Sequence, residues 1–456
     1  MLTRLKVRNF KSIRRADVRF GPLTCFIGRN GAGKSNLFDA IRLLSHLAGA
    51  DPSAAAAGLR WASGPRPSPL DLLRARNPER RIELTADMIV PAGVTDGFGV
   101  PARASTTLLR YGLGLRYDAQ GDRLLVDHES LTHARLGEFG RFAGFPSSEA
   151  FRTSVALGSR RGGPMISTEG DRIVLHGDRG SRARSIPAGC SSRTVVGGTD
   201  DATYPTVLAA RRAMASWRVL HLEPSSMRSP DARWVRPRHV SPSGARLPAT
   251  LHAVTARDPG ARSELLLRLG RLTPDLEDVE VRVGEAIDQL VLRARVSGVD
   301  GWLHASSLSD STLRYLALAL MLVDRRDRAV LCIEEPENGV HPSRVRNLVE
   351  LLRDYGVDTR QPVDHGNPLR QVIANSHSPE VARQLSFDDI VFVERASTGS
   401  GPVSVFRPVV DTWRANRPEG EEQSPPISRK AVADFIGGSP LGDRMGQLKL
   451  EFGTAG

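Results

Sequence analysis

The sequence predicts an α/β fold: a mixed, mainly parallel sheet flanked by helices, joined to an antiparallel β-rich lobe and a largely irregular insertion. Three observations predict it. At residues 23–44 an apolar strand-like run is followed by a glycine-rich turn and an amphipathic helix. At residues 303–395 apolar strands again alternate with helices, which is typical of a parallel sheet. Between about 81 and 225, turn residues separate short strand-like runs, as in an antiparallel sheet.

Composition and charge are those of a soluble globular chain. It has 456 residues, of which 40% are hydrophobic and 25% charged. The net charge of +12 suits a polyanionic partner, and an arginine-rich compositional bias explains it equally well. The three cysteines form no disulfide or metal pattern, which fits a reducing compartment. The N-terminus alternates like a strand rather than a signal peptide, and no apolar run is long enough to span a bilayer. We therefore expect a cytoplasmic protein.

The first elements are two short strands, the turn NFKSI between them, and a third strand that leads into a phosphate-binding loop. Gly28, four further residues and then Gly33-Lys34-Ser35 fit the G-x-x-x-x-G-K-[ST] pattern. Glycines let backbone N–H groups turn toward phosphate oxygens, and the next helix adds its positive end. Lys34 would meet the β- and γ-phosphates, while the Ser35 hydroxyl would ligate Mg²⁺. The predicted nucleotide-binding residues are Gly28, Arg29, Asn30, Gly31, Ala32, Gly33, Lys34, Ser35 and Asn36.

The middle of the chain carries fewer signals. Residues of about 50–80 are rich in Ala, Pro and Gly, so we expect a loop or a weakly ordered connection. YPTVLAARRAMASW and RSELLLRLGRL are predicted to be helices, and VEVRV with QLVLRARV a hairpin. Residues 410–428 are predicted to be a polar linker. The predicted domain limits are 1–49 and 301–400 for the two parts of the nucleotide-binding unit, 50–300 for the β-rich lobe and insertion, and 401–456 for a linker and tail.

A second chemical motif lies about 300 residues after the loop. In VLCIEEPE an apolar strand ends in two acids, and a parallel sheet would bring them to the same edge as the loop. Glu334 would hold Mg²⁺ directly or through water. Glu335 would orient and deprotonate an attacking water. A simple helix-entry turn is the alternative, and the apolar strand and Pro336 speak against it.

Five motifs occur in the order FKSI, GRNGAGKSN, LSDSTLR, EEPENGVHP and NSHSP. Together they resemble the ABC-type ATPase head shared by RecF, SMC and OLD-like proteins, and especially the compact bacterial "predicted ATPase" branch of AAA-labelled proteins. The motifs bracket residues 1 to about 395. The resemblance implies a P-loop NTPase with an ABC-type head, which binds and hydrolyses ATP with Mg²⁺.

The resemblance also implies roles for two further residues. Ser309, in LSDSTLR, would offer a signature-motif hydroxyl to the γ-phosphate bound by a second head, so that ATP joins a homodimer and its hydrolysis opens it. Ser311 stands where a glycine is usual, and a plain capped helix is the alternative for this segment. His377, in NSHSP, would be the switch histidine that senses the γ-phosphate. The glutamine of the metal-sensing loop is not placed.

The resemblance and the charge together predict a protein that acts on or senses DNA in repair or antiphage defence. It is similar to the ATPase of Septu-like systems, which implies an effector partner such as a nuclease. Two readings from other classes stay open: a nucleotide-gated interaction scaffold with little turnover, and the ATPase subunit of an ABC transporter. A candidate DNA-contacting loop, for which a merely solvated loop is the equal alternative, groups Arg228, Arg233, Arg236 and Arg238 around Trp234.

Overall fold

The computed structural model describes residues 1–60, 68–74, 80–158, 163–178, 184–189, 191, 193–284, 288–399, 401–416 and 424–437. The strands in these ranges are β1 (Leu2–Phe10), β2 (Ile13–Arg19), β3 (Leu23–Ile27), β4 (Arg81–Ile89), β5 (Gly93–Thr95), β6 (Pro101–Arg103), β7 (Leu108–Asp118), β8 (Arg123–His133), β9 (Ile166–Glu169), β10 (Arg172–Leu175), β11 (Arg184–Pro187), β12 (Arg218–Leu220), β13 (Asp231–Ala232), β14 (Leu276–Val283), β15 (Gln289–Val296), β16 (Leu303–His304), β17 (Val330–Glu334), β18 (Gln371–Ser376), β19 (Ile390–Thr398) and β20 (Gly401–Pro408).

The helices in the same ranges are α1 (Lys34–Leu47), α2 (Pro52–Ala57), α3 (Phe139–Ala143), α4 (Glu149–Val155), α5 (Val195–Gly198), α6 (Pro205–Ala215), α7 (Pro224–Arg228), α8 (Leu247–Arg257), α9 (Ala261–Gly270), α10 (Asp310–Val323), α11 (Val345–Tyr355), α12 (Pro379–Gln384) and α13 (Arg429–Ile436). In these ranges no helix combines the length and the apolar character that crossing a bilayer needs.

The central sheet has six strands in the order β12-β17-β18-β3-β19-β20. The first five run parallel, and β20 pairs with β19 in the antiparallel sense. Every residue of β3 and β18 is buried, because both faces of a parallel sheet are covered. The mixed, mainly parallel sheet predicted from the sequence is therefore present.

A second sheet has eight antiparallel strands in the order β11-β10-β9-β8-β7-β4-β1-β2. Its long strands alternate between buried and partly exposed positions, as β4 does over its first half, so one face of the sheet points into the core. This sheet is the predicted antiparallel lobe, and it also incorporates the first two strands of the chain. The predicted hairpin is present too: β14 and β15 pair antiparallel in a separate small sheet with β13 and β16.

Helix α1 lies in the core between the two large sheets. Its apolar residues share one buried cluster with residues of β1, β3 and β4. Phe26 of β3 is the centre of this packing, with edge-to-face contacts to Phe20, Phe38 and Phe406 at ring-centroid distances of 6.2, 6.2 and 5.8 Å. The opposite face of the central sheet is covered by α8 to α11, which form a second buried cluster. The phosphate-binding loop is thus fixed by packing on both sides of β3.

One acidic side chain is fully buried inside the antiparallel lobe. Glu129 of β8 is 0% exposed and accepts hydrogen bonds from the backbone N–H groups of Val195 and Val196, at 2.6 and 2.8 Å, and from the Tyr111 hydroxyl at 3.1 Å. These donors hold the start of α5 against the sheet. Burial nevertheless raises the pKa of the Glu129 carboxyl to about 7.

The structure differs from the sequence-based expectations in three places. The alanine-rich stretch after α1 contains the helix α2, whose first turn is capped by the Asp51 carboxylate; residues 61–67 and 75–79 of the same stretch lie outside the described residues. Helix α8 and the short strand β12 were not expected. In the predicted polar linker, Arg414 is buried and donates to the backbone oxygen of Leu23 and to Thr24 Oγ1 at 3.3 and 2.9 Å. Arg414 is therefore packed against β3 rather than solvated, and residues 417–423 of the predicted linker lie outside the described residues.

The predicted domain limits remain predictions, but four strands belong to a different sheet from the one that these limits would give them. β12 belongs to the central sheet although it lies between residues 50 and 300, and β20 belongs to it although it follows residue 400. β1 and β2, from the first 49 residues, belong to the antiparallel sheet. The two sheets therefore exchange chain segments and do not correspond to continuous stretches of sequence.

Candidate functional site

Three predicted segments meet at one edge of the central sheet. β3 ends at Ile27 and leads into the glycine loop, β17 ends at Glu334, and β18 ends at Ser376, next to His377. β18 pairs in parallel with both β3 and β17, so all three carboxyl ends lie side by side. Backbone contacts join them directly: Gly28 N donates to Ser376 O at 3.3 Å, and Glu335 N donates to Asn375 O at 3.0 Å. The segments that are about 300 residues apart in sequence thus form one site.

The loop has the backbone geometry of an anion-binding turn. Gly31 and Gly33 adopt φ values of 75° and 93°, a region that glycine enters at little steric cost. Helix α1 begins directly after Gly33, and in the part of the chain that the structure describes no side chain caps its first turn. The first N–H groups of α1 are therefore directed at the loop's concave side, where a phosphate group would accept from them.

At two positions of the loop, close packing leaves no room for a side chain, so that glycine is required. A Cβ on Gly28 would lie 2.1 Å from the backbone oxygen of Val393, and a Cβ on Gly33 would lie 1.9 Å from Ser404 Oγ and 2.7 Å from Ser12 Oγ. Ser12 lies in the turn between β1 and β2 and Ser404 in β20, and their hydroxyls are 2.6 Å apart. Asn36 Nδ2 donates to the same Ser12 oxygen at 2.6 Å. The loop is thus held by both large sheets.

Lys34 points back into its own loop. Its ammonium donates to the backbone oxygens of Gly28 and Arg29 at 2.6 and 3.0 Å, and the residue is only 6% exposed. Burial lowers the pKa of Lys34 below its usual value, and the nearby carboxylates of Glu335 and Glu337 offset part of this effect. The predicted lysine and the predicted glutamate motif are therefore electrostatic neighbours.

Glu334 faces a cation supplied by a residue that the sequence did not single out. Nη1 of Arg60 lies 2.8 Å from both carboxylate oxygens of Glu334, and Nη2 donates to the Ser35 backbone oxygen at 2.7 Å. Asp39 anchors the guanidinium by accepting from Nε and Nη2 at 3.2 and 3.0 Å, and it also accepts from Lys11. Glu334 is therefore both placed and oriented to bind a positive charge next to Ser35.

The residues at this position fit Mg²⁺. The donor set consists of the Glu334 carboxylate and the Ser35 hydroxyl, hard oxygen ligands that suit a metal which keeps several waters and substrate phosphates. The guanidinium on Glu334 is a stand-in cation at this carboxylate. Among the described residues no group of three or more His, Cys, Asp or Glu side chains could hold a metal ion.

Glu335 and His377 are in direct contact. Nδ1 of His377 lies 2.9 Å from Oε1 of Glu335, and Asn338 Nδ2 donates to Oε2 at 2.8 Å. Glu335 has a φ of 45°, which is uncommon for a residue other than glycine and directs its side chain away from the strand. Asn375 stabilises this backbone, because its carbonyl and side-chain oxygens both accept from Glu335 N. A strained acid paired with a histidine is typical of a functional site.

Ser309 is the predicted site residue that the structure leaves apart from the others within this chain. It is the N-cap of α10, where its Oγ accepts from Thr312 N at 3.1 Å and lies 3.0 Å from Ser311 Oγ. The capping role was the stated alternative, and it is present. A role toward a second subunit is compatible with it, because the Ser309 side chain is exposed.

The candidate DNA-contacting loop is partly tied to the protein. Arg228 donates to Leu308 O and Asp310 Oδ1 at 2.9 and 2.6 Å, so it holds the start of α10 rather than facing solvent. Arg233 forms an exposed ion pair with Asp288. Trp234 is 78% exposed, as a stacking side chain would be.

Two segments of the chain match models of known domain families. Residues 1–87 match the model described as "AAA ATPase domain", and residues 208–383 match "AAA domain, putative AbiEii toxin, Type IV TA system". These two segments contain the phosphate-binding loop and the glutamate motif, respectively. Each model covers less than half of the chain.

Curated relatives match over a short segment. The DNA replication and repair protein RecF of Phocaeicola vulgatus is 46% identical over 46 residues, and that of Porphyromonas gingivalis is 50% identical over 46 residues. The OLD nuclease of Thermus scotoductus is 48% identical over 44 residues. Each match covers 10% of this chain and 12%, 13% and 8% of the respective relative. The chain therefore matches only about an eighth of the length of the RecF proteins.

Solved structures of SMC heads align over most of the chain at low similarity. The head domain with an extended coiled coil bound to the C-terminal domain of ScpA, from Pyrococcus furiosus, gives a TM-score of 0.45 at 12% identity, covering 89% of this chain and 96% of that one. The SMC head domain from Thermotoga maritima gives 0.37 at 13% identity, covering 89% and 98%. These TM-scores are too low to establish the fold, which is defined instead by the strand order described above.

Proposed function

We propose that this chain, which carries an ABC-type ATPase head of the RecF/SMC/OLD-like class, binds ATP with Mg²⁺ at the carboxyl edge of its central sheet and hydrolyses it. The observation that supports this most is the convergence of the glycine loop, the Glu334–Glu335 pair and His377 on three adjacent parallel strands. The uncapped start of α1 and Lys34 would hold the phosphates. Bound Mg²⁺ would neutralise phosphate charge beside Glu334 and Ser35.

In this proposal Glu335 is the general base. Its carboxylate would accept a proton from the attacking water, and His377, whose Nδ1 lies 2.9 Å from Oε1, would orient the carboxylate and sense the γ-phosphate. Phosphoryl transfer needs the reacting groups to be positioned more than it needs covalent catalysis, and the three strand ends would provide that positioning.

Turnover and nucleotide binding in matched variants test this proposal. Glu335→Gln keeps the side-chain shape and should lower phosphate release by about 10²–10⁴-fold while leaving binding of a fluorescent ATP analogue unchanged. Lys34→Ala should weaken that binding by about 10–100-fold, because it removes a charged hydrogen-bond donor. Glu350→Gln, on the partly exposed face of α11, is the control. Turnover of Glu335→Gln within tenfold of the unmodified protein would contradict the assignment of the base.

The proposal extends to an ATP-dependent homodimer in which Ser309 of one subunit meets the γ-phosphate bound by the other. The Glu335→Gln protein should then be dimeric at saturating ATP and monomeric without nucleotide, as measured by light scattering. In the same background Ser309→Asp keeps a good N-cap for α10 but places a negative charge against the triphosphate. It should abolish the dimer without lowering the melting temperature. A monomeric Glu335→Gln protein, or a dimer that survives Ser309→Asp, would refute the sandwich.

We further propose that the ATPase acts on or senses DNA, in repair or antiphage defence, together with an effector protein. The supporting observations are the net charge of +12 and the similarity of a short segment to RecF and OLD proteins. Affinity for duplex DNA should fall steeply between low and moderate salt. A flat salt response would refute the nucleic-acid part, while the ATPase part would stand.

The scaffold with little turnover is the second candidate, and one observation favours it. Arg60 occupies both oxygens of Glu334, the carboxylate that a metal needs. Slow basal turnover of the isolated protein, raised by DNA or by a partner, is expected from this contact. Turnover that stays negligible under every condition while nucleotide binding and dimerisation persist would favour the scaffold.

A further inference from the structure

A groove lined by arginines lies on the side of the central sheet away from the glycine loop. Two adjoining cavities form it, of about 670 and 660 Å³, and they share Ser216, Arg238 and Arg328 as lining residues. The first is also lined by Arg236, Arg257 and Arg326, and the second by Arg212. Four separate chain segments therefore contribute arginines to one concave surface.

The strand direction places this groove far from the nucleotide site. Arg328 and Ala329 directly precede β17, and Ser216 and Trp217 directly precede β12, so the groove lies at the amino ends of these parallel strands. Glu334 is at the other end of β17, four residue steps from Val330, which correspond to about 13 Å. A ligand in the groove would touch neither the glycine loop nor the two glutamates.

The positive charge of the groove is largely uncompensated. The side chains of Arg238, Arg326 and Arg328 are exposed and, within the described part of the chain, make no hydrogen bond or ion pair. Among the described residues, Arg236 donates to backbone oxygens of its own loop, at Arg233 and Val235. Unpaired guanidinium groups in a concave surface concentrate positive potential and favour anions that offer several oxygens.

Two of the three acidic residues that line the groove are already paired with arginines, and the third, Asp96 in the second cavity, accepts from the backbone N–H groups of Phe98 and Val100, each at 2.9 Å. Asp327, between the two unpaired arginines, is buried and forms an ion pair with Arg218. Asp200, in the second cavity, forms ion pairs with Arg211 and Arg212 at 2.7 and 3.0 Å. These carboxylates therefore hold the walls of the groove in place and leave its exposed cations available.

We infer that this groove binds the phosphodiester backbone of a nucleic acid, with Arg238, Arg326 and Arg328 as phosphate contacts. The joined cavities and the spread of cations over four segments fit a chain of phosphates better than one compact anion. The inference deepens the DNA-handling part of the proposed function and rests on it. It also places the nucleic-acid contact at the opposite edge of the sheet from the triphosphate.

The test compares two double variants that each remove two exposed arginines. Arg326→Ala/Arg328→Ala removes groove cations, and Arg346→Ala/Arg360→Ala removes two cations elsewhere that already pair with Glu350 and Asp358. Binding of a fluorescein-labelled 20-base-pair duplex is measured by anisotropy over a range of salt concentrations. The groove variant should bind roughly tenfold more weakly, with a log–log salt slope smaller by about 2, and Arg238→Ala should lower the slope by about 1. The control variant should match the unmodified protein.

Three outcomes would overturn the inference in distinguishable ways. Equal duplex binding and equal slopes in the groove variant and the unmodified protein would refute the groove while leaving DNA binding intact. No duplex binding by the unmodified protein at low salt, with normal ATP-analogue binding, would refute the DNA-handling part of the proposed function. Binding of inorganic tripolyphosphate that the groove variant loses, without duplex binding, would assign the groove to small polyphosphates.

Discussion

Replacing Arg60 by alanine is expected to tighten the binding of metal–nucleotide complexes. Nη1 of Arg60 lies 2.8 Å from both oxygens of Glu334 and Nη2 lies 2.7 Å from the Ser35 carbonyl oxygen, so the guanidinium must withdraw before Glu334 can serve a metal. The variant removes this competition. Its folding cost should be small, because Asp39 keeps the Lys11 ammonium at 2.6 Å as a partner.

The magnitude follows from the contact. A hydrogen bond to a charged group contributes about 1.5–3 kcal/mol. The Arg60 side chain is 42% exposed, and solvent screening lowers this to about 1–2 kcal/mol. At about 1.4 kcal/mol per tenfold change, the Kd of Arg60→Ala for the metal–ADP complex should fall by about 5–30-fold.

Titration of a fluorescent ADP analogue at several Mg²⁺ concentrations measures this effect without turnover. The gain should be confined to binding in the presence of metal, and binding in EDTA should be unchanged. Arg346→Ala, which removes an exposed arginine from α11, is the control. If Arg60→Ala binds metal–ADP as weakly as the unmodified protein, or more weakly, then Arg60 contacts the nucleotide rather than guarding Glu334, and the reasoning is refuted.

Two further predictions concern the loop and the buried acid. Gly28→Ala should abolish binding of the ATP analogue, because its Cβ would lie 2.1 Å from the Val393 backbone oxygen, which cannot move without breaking the sheet; Gly49→Ala, with open space around it, should bind normally. The pKa of Glu129 is raised from 4.5 to about 7, so the stability that this group contributes is present below pH 4.5 and is lost as the pH rises through 7. The unfolding free energy of the unmodified protein, minus that of Glu129→Gln, should therefore fall by about 3 kcal/mol from pH 4.5 to 8 in denaturant titrations; a constant difference would contradict a protonated Glu129.

The parts of the site that could be predicted are those whose chemistry is local in sequence. The glycine loop, Glu334, Glu335 and His377 each sit at the end of an apolar strand, and parallel strands bring such ends to one edge. Strand order did not need to be known for that prediction. The pairing of β18 with both β3 and β17 confirms that these strand ends lie at one edge of the sheet.

The parts that could not be predicted depend on distant partners. Arg60 acts on Glu334 across 274 positions, and it follows an alanine-rich stretch that carries no motif. β12 has three residues, too few to show a periodic pattern in the sequence, and it is recognised as a strand by its pairing with β17. The arginines of the groove were visible in part, at 236 and 238, but Arg326 and Arg328 join them only once β17 is placed beside β12. Sequence patterns report local periodicity, whereas these features arise from tertiary packing.

The contact of Gly33 with Ser12 and Ser404 links three segments that evolution cannot alter independently. The two serines are 392 positions apart, yet both lie where a Cβ on Gly33 would fall. A bulkier residue at position 12 or 404 would push the glycine turn outward and spoil its fit to a triphosphate. Among homologues that retain a functional loop, positions 12 and 404 should therefore stay small as a pair, whatever else diverges around them.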